Sequence, residues 1–343
     1  MSPGRTSFEA ALARYRDSAT RALLETLPAG GPPYLYDLVA TYPARRGKGL
    51  RAALCIATCG ALGGKEQRAL NTAVGIELFH NGFLIHDDLQ DASLSRRGEA
   101  TLHRMYGSAI AINVGNATNL MGLQRIIEGR GRLGPTASFA ITEETERMMR
   151  HSLEGQAIEL AWIRDNVCRL GPTDYLRMCL KKTSWYSFIY PMRVGAIIAR
   201  GTPLDSERFC RLGWYFGAAF QIQDDILNLT GDYEKYGKEL GGDLAEGKRT
   251  LMLIHLLGAC TARERRTLRR FLAKPRAMRT NAEIAAVYDQ MLEYRSVEFA
   301  RRAARQLAGA ALLEAVTAFA AVPDSPQKKF ILEMVLYVVE RDR

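Results

Sequence analysis

The stretches FLIHDDLQD and FQIQDDILN each run from apolar residues straight into two adjacent aspartates, Asp87–Asp88 and Asp224–Asp225. Asp91 stands one helical turn beyond Asp87, and Asn228 one turn beyond Asp224. A carboxylate beside an apolar stripe is costly to desolvate unless it is paired or holds a cation. On a helix Asp87 shares a face with Asp91, and Asp224 with Asn228, while Asp88 lies to one side and Gln221 precedes Asp225 by a turn. If the two helices face each other, five carboxylates and one amide converge. Hard oxygen ligands with no cysteine nearby point to Mg²⁺ rather than zinc. Because Mg²⁺ usually combines one or two carboxylates with phosphate oxygens, a phosphorylated ligand is implied.

Cationic residues that could hold such a ligand flank both motifs. RRGKGLR places Lys48 and Arg51 three residues apart, and DASLSRRG supplies Arg96 and Arg97 just after Asp91. LKKTSWY offers Lys182 and Thr183, and a Gly-rich stretch offers Lys238 and Lys248. Taken singly, each reads as a solvated side chain. Their distribution around the aspartates is what suggests a diphosphate site.

The elements that must position these residues are helical nearly throughout. Apolar spacing predicts helices over 7–27, 49–64, 65–91, 101–130, 137–165 and 173–200, broken at segments such as PAGGPP, GRLGPT and RGTPLDS. A further helix carries the second aspartate pair, and TGDYEKYGKELGGDLAEGKRT reads as a long loop before three or more C-terminal helices. No alternating β-branched run and no long linker interrupts the pattern. The reading is all-α: a single domain over residues 1–343 with ten or more helices. The aspartate pair is the one internal similarity, so a repeat array is excluded.

Composition narrows the class. Of 343 residues, 47% are hydrophobic and 24% charged, as in ordinary globular chains. No apolar run reaches the ~18 residues of a membrane span, and the N-terminal stretch lacks a secretory apolar segment. Six scattered cysteines without a CxxC pair read as reduced, buried thiols, which places the protein in the cytoplasm. The net charge of +10 invites a polyanion, but the arginine-rich stretch 261–280 has helical spacing and reads as a solvated face. With no zinc-finger spacing and no aromatic RNA-binding signature, a nucleic-acid partner is not expected.

In order along the chain, GKGLR, ELFHNGFLIHDDLQDASLSRRG, GQAIEL, KKT, FQIQDDILNLTGD and GKELGGDLAEGKRT resemble the motifs of a trans-isoprenyl diphosphate synthase of the polyprenyl synthetase family. The resemblance covers roughly residues 40–255 and implies a homodimer of helical bundles, each around a deep apolar pocket with both aspartate motifs at its mouth. It implies that Asp87, Asp91 and Asp224 bind three Mg²⁺ ions on an allylic diphosphate, supported by Asp88, Asp225 and Asn228. Arg96, Lys182, Lys238 and Lys248 would grip that diphosphate. Lys48, Arg51, His80 and Arg97 would hold the diphosphate of isopentenyl diphosphate. Gln156, Thr183 and Gln221 would line the reacting carbons, and Asp243 would support the lysine loop. The implied reaction extends dimethylallyl, geranyl or farnesyl diphosphate by prenyl transfer, with Lys182, Thr183, Gln221, Arg96 and Lys248 as its catalytic residues.

Three positions depart from the common family pattern: Asn228 where aspartate is usual, Asn116 in INVGNA, and Glu159 in GQAIEL. Spacing puts the last two a turn or more from the chemistry. Product length falls to the helical turns before Asp87. Phe79 and Phe83 stack with Asp87 on one stripe, and Gly82 leaves a gap beside it. One small and one large residue there favour geranylgeranyl diphosphate, with farnesyl or geranylfarnesyl diphosphate as alternatives. A class I terpene cyclase would leave Lys48, Arg51, His80 and Arg97 without a purpose. A noncatalytic synthase subunit would be expected to have lost part of the first motif, which is intact here.

Overall fold

Two long helices carry the two aspartate motifs, and the remaining elements pack around them. A computed structural model describes residues 3–45, 47–203, 206–230 and 241–340. The chain opens with α1 (Pro3–Glu25), two single turns α2 (Tyr36–Val39) and α3 (Thr41–Ala44), then α4 (Leu50–Ala61) and α5 (Glu66–Gln90). A hairpin of β1 (Ser95–Arg96) and β2 (Glu99–Ala100) follows. Next come α6 (Leu102–Tyr106), α7 (Ser108–Glu128), α8 (Arg130–Leu133), α9 (Pro135–Arg164) and α10 (Pro172–Cys179). A wide-turned π segment over Leu180–Ile189 leads into α11 (Tyr190–Arg200) and α12 (Arg208–Thr230). The C-terminal part holds α13 (Gly242–Glu246), α14 (Leu251–Ala259), α15 (Ala262–Leu272), α16 (Asn281–Glu293), α17 (Ser296–Ala318) and α18 (Pro326–Glu340). The all-α reading stands, and the two-residue strands are the sole pairing among the described residues.

Boundaries differ from the periodicity where backbone chemistry overrides it. The span 101–130 breaks at Gly107, whose φ of 85° no helix tolerates. The span 173–200 is three pieces. Pro191 has no N–H to donate and its ring crowds the carbonyl one turn back, so the winding loosens before it. Tyr190 N–H accordingly reaches the Trp185 carbonyl, one residue further than in an α-helix. Within the stretch read as a loop, residues 242–246 form α13.

The largest apolar cluster joins α1, α4, α5, α11, α12 and α18. A second lies under α14–α17, and a third under α2, α5 and α7. The π segment is wedged between α9 and α12. A Cβ on Gly155 of α9 would sit 2.2 Å from the backbone nitrogen of Lys182, and one on Gly217 of α12 would sit 2.2 Å from Ser184 Oγ. Only glycine permits that approach, and it sets Lys182 and Thr183 at the ends of α5 and α12. No helix among the described residues is long and apolar enough to cross a membrane.

Candidate active site

A cavity of about 630 Å³ opens between α4, α5, α9, the π segment and α12. Asp87, Asp224, Asp225, Asp243, Glu159, Lys182 and Lys248 line it, as do Lys48, Arg51, His80 and Arg97, with Arg96 paired to Asp88 close to Asp87. Phe83, Leu84, Tyr186 and Phe220 give it apolar wall.

At the carboxylate end, Asp87, Asp91 and Glu159 each offer an oxygen within 4.8 Å of the others. Lys182 Nζ donates to Asp87 Oδ1 at 3.2 Å and forms an ion pair with Glu159. Gln156 Nε2 donates to Gln90 Oε1 at 2.7 Å and lies 3.4 Å from Asp87 Oδ1. Lys248 Nζ stands 2.6 Å from Asp91, 2.8 Å from Glu246 and 3.6 Å from Asp243. Burial pushes the Asp91 carboxyl up to about 7, with Asp87 and Glu246 adding to the shift and Lys248 opposing it. So much negative charge in a half-closed cleft calls for a cation, and an all-oxygen donor set fits Mg²⁺.

From α12, Asp225 is enclosed rather than open. Tyr175 OH donates to its Oδ2 at 2.7 Å and Gln221 Nε2 to its Oδ1 at 2.8 Å. Thr183 Oγ1 donates to Gln221 Oε1 at 2.7 Å, which completes a chain from the π segment to Asp225. Burial raises the Asp225 carboxyl well above its ordinary range, with Asp243 reinforcing the shift. Asn228 Oδ1 accepts from the Asp243 backbone N–H at 3.0 Å, so the amide holds the start of α13.

The two adjacent arginines are divided by hairpin geometry. Arg97 and Gly98 both have positive φ, 54° and 82°, as a two-residue type I′ turn requires. Arg96 thereby faces α5: its Nε donates to Asp88 Oδ1 at 2.9 Å, its NH2 also pairs with Asp88, and NH2 lies 3.6 Å from Asp87. Tyr42 OH donates to the other oxygen of Asp88 at 2.7 Å. Arg97 points toward the GKG loop instead, donating to the Tyr42 carbonyl at 2.7 Å. A Cβ on Gly47 would lie 2.5 Å from its NH2, so a larger residue there would displace the Arg97 guanidinium.

Around Arg97 three arginines face a single carboxylate. Burial, followed by Arg96, Arg51 and Arg45, draws its guanidinium down to about 10, with Glu77 as counterweight. His80 is buried at the cavity wall, and burial with Arg51 and Arg97 draws its imidazole well below its ordinary pKa, toward the neutral form. Arg51 spans the π segment, donating to Ser187 Oγ at 3.1 Å and Tyr186 OH at 2.9 Å, with NH1 3.3 Å from His80 Nε2. Cations crowded this closely suit a polyanionic group.

Of the site residues named from sequence, Lys48, Arg51, His80, Phe83, Asp87, Arg96, Arg97, Gln156, Lys182, Thr183, Gln221, Asp224, Asp225, Asp243 and Lys248 line the cavity, Asp88, Asp91 and Asn228 are bonded to residues that do, and Lys238 lies outside the described residues. One expectation is corrected: Glu159 does not stand off from the chemistry but pairs with Lys182 inside the cavity. Its place one helical turn from Gln156 could have flagged it. Asn116 is exposed on α7, as spacing suggested. The gap expected beside Gly82 is filled: a Cβ there would meet Asn119 at 2.4 Å. Phe83 lines the cavity, whereas Phe79 is 2% exposed in the core against Gly122. Tyr42, Tyr175, Tyr186 and Glu246 were missed, as was Ser93, whose Oγ donates to Glu246 Oε1 at 3.0 Å. Nothing in their local sequence marks them, because each acts across the fold.

A family model described as Polyprenyl synthetase matches residues 32–291. A geranylgeranyl diphosphate synthase of Sulfolobus acidocaldarius is 30% identical over 281 residues, covering 80% of this chain and 84% of the relative. An octaprenyl diphosphate synthase of Haemophilus influenzae is 27% identical, covering 86% and 85%. Among solved structures, a Caulobacter crescentus polyprenyl synthase complexed with calcium and isoprenyl diphosphate superposes with a TM-score of 0.86 at 25% identity, covering 98% of each chain.

Proposed function

The chain belongs to the polyprenyl synthetase family, and on that premise we propose that it condenses isopentenyl diphosphate with an allylic diphosphate to a short all-trans prenyl diphosphate. It is a prenyltransferase of the isoprenyl diphosphate synthase kind. The observation that carries the finer reading is that one cavity holds both a carboxylate–lysine cluster around Asp87 and an Arg51–His80 pair with Lys48 and Arg97, together with apolar wall.

At the carboxylate end, Asp87, Asp91 and Asp224 would hold Mg²⁺, three ions once the allylic diphosphate is bound, with Asp88, Asp225 and Asn228 in support. Bound there, Mg²⁺ supplies Lewis-acid stabilisation of the leaving oxygens. Lys182, Lys248 and Arg96 add donors fixed beforehand by their carboxylate partners, so little reorganisation opposes loss of the diphosphate. Lys48, Arg51, His80 and Arg97 orient the second diphosphate and so place the double bond of its isopentenyl group. Thr183, Gln221 and Gln156 would line the reacting carbons. The allylic C–O bond breaks, its electron pair leaving with diphosphate; a carbon–carbon bond forms, and the proton then lost passes to the departing diphosphate. The apolar walls keep water from the cation.

We take geranylgeranyl diphosphate as the product, farnesyl or geranylfarnesyl diphosphate being the alternatives. The Sulfolobus relative supports twenty carbons, and the octaprenyl relative argues for a longer chain. Phe83, seated edge-on against Tyr186 with centroids 5.4 Å apart, closes the apolar side and is the proposed floor, with Phe79 and Gly82 behind it. A cytoplasmic homodimer of one domain per chain completes the reading. Its support is the exposed apolar face of α7 and α9, where Leu120 is 58% and Phe139 67% exposed. The test is incubation with Mg²⁺, isopentenyl diphosphate and each of the three primers, with products identified by mass. Mg²⁺-dependent twenty-carbon diphosphate is expected; no elongation from any primer would overturn the reading.

A further inference from the structure

Behind the carboxylate end, three helix C-termini meet at two buried arginines. Arg249, 1% exposed, directs Nε to the Val167 carbonyl at 3.1 Å, NH2 to Asn166 Oδ1 at 2.8 Å, and NH1 to the Gly247 carbonyl. Arg279, 9% exposed, directs NH1 to the Ala245 carbonyl at 2.5 Å and NH2 to that of Leu272 at 2.9 Å. Those acceptors lie just beyond α9, including the Asn166 side chain, and at the ends of α13 and α15. Neither guanidinium forms an ion pair among the described residues. The compensation comes from backbone: each helix C-terminus carries roughly half a negative charge and several unsatisfied carbonyls.

The knot bears on the site through Lys248. A five-residue helix such as α13 is not stable alone. Its far end must be held, and Arg249 and Arg279 take its last carbonyls. Gly247, with φ of 77°, lies flat on Arg279, where a Cβ would come within 2.7 Å of NH2. Lys248 follows directly, its backbone N–H donating to the Asp243 carbonyl at 2.9 Å. Asp243, Glu246 and Lys248 therefore move as one unit relative to Asp91.

We propose that Arg249, backed by Arg279, is a positioning residue that fixes Lys248 against Asp91 and thereby sets the grip on the allylic diphosphate. This rests on the function proposed above. Arg249 lines the cavity wall, but its fork is committed to carbonyl and amide oxygens. Lysine keeps the charge and loses the fork, so it cannot join α9 to the Gly247 turn.

The experiment compares wild type, Arg249→Lys, Lys248→Met and the double variant. Misplacing a reacting group by about an ångström can cost up to roughly 100-fold, so Arg249→Lys should lower kcat by about 10- to 100-fold. The KM for isopentenyl diphosphate should be unchanged. In the Lys248→Met background the same change should cost less than about twofold, because the residue it acts through is gone. Calorimetric titration with inorganic diphosphate and Mg²⁺ reads the grip without turnover, and the same pattern is expected there. Absent condensation by wild type with that binding pattern intact would overturn the function and leave the positioning standing. Wild-type binding by Arg249→Lys, or an equal loss in both backgrounds, would overturn the positioning. Should Arg249→Lys fail to fold, Arg279→Lys, which spares the Arg249 bridge, is expected to give the same pattern in milder form.

Discussion

Arg96 and Arg97 are neighbours with opposite tasks, and the difference can be measured. Arg96 compensates Asp88, which is 0% exposed and whose side chain otherwise receives, among the described residues, only the Tyr42 hydroxyl. Removing one partner of a buried pair costs about 3–5 kcal/mol. Arg96→Ala should therefore lower the unfolding midpoint sharply, and adding Asp88→Asn should restore part of it. A variant as stable as wild type would show that Asp88 finds another partner. Arg97 instead sits beside Arg96, Arg51 and Arg45 with Glu77 as counterweight, so its loss relieves repulsion as well as removing one attraction. Arg97→Ala should leave stability unchanged or raised, while the KM for isopentenyl diphosphate rises about 10- to 150-fold, the worth of a charge-assisted hydrogen bond. Steady-state kinetics against each substrate check the split. Both arginines were legible as anion binders from SLSRRG, but their division was not. It follows from the type I′ turn and from Asp88, and so from contacts across the fold.

Among the elements, the π segment is the one that periodicity could not supply. Its residues read as an ordinary stretch of helix, and the cues to its winding are Pro191 ahead and the glycines opposite. Gly155→Ala would drive a Cβ into the Lys182 backbone. Overpacking of this kind costs about 1–3 kcal/mol, but the displaced ammonium should cost catalysis more, up to roughly 100-fold in kcat. Circular dichroism melting alongside kinetics separates the two, and a fully active Gly155→Ala would mean the segment is not held by this contact. The aspartate-bearing helices, by contrast, were legible almost to their ends, because their apolar stripes and charged motifs agree. Their floor was less so. The stripe Phe79–Phe83–Asp87 lies on α5, yet of its two phenylalanines only Phe83 reaches the cavity: Phe79 packs against Gly122, and Asn119 of α7 occupies the space beside Gly82. Phe83→Ala should lengthen the product by one or more five-carbon units, read by mass spectrometry, with an unchanged distribution placing the floor elsewhere. Phe79→Ala should chiefly destabilise, by about 3–5 kcal/mol.

For the whole molecule, the apolar residues Ile112, Leu120, Leu123 and Ile127 on α7 and Phe139 on α9 lie exposed on neighbouring helices. Such a surface on one chain fits a second copy. Sedimentation should give about twice the chain mass of 38.2 kDa, and Leu120→Glu should shift it toward the monomer. A wild-type monomer at micromolar concentration would remove the dimer. The central claim is that one cavity holds two diphosphates at chemically different ends. It is tested most directly by a crystal structure with Mg²⁺, isopentenyl diphosphate and an unreactive thio analogue of the allylic diphosphate. The expected result is metal on Asp87, Asp91 and Asp224 with the allylic diphosphate against Lys182 and Lys248. The isopentenyl diphosphate should lie among Lys48, Arg51, His80 and Arg97, its tail pointing to Phe83. Both diphosphates at one end, or metal bound away from the two aspartate motifs, would contradict it.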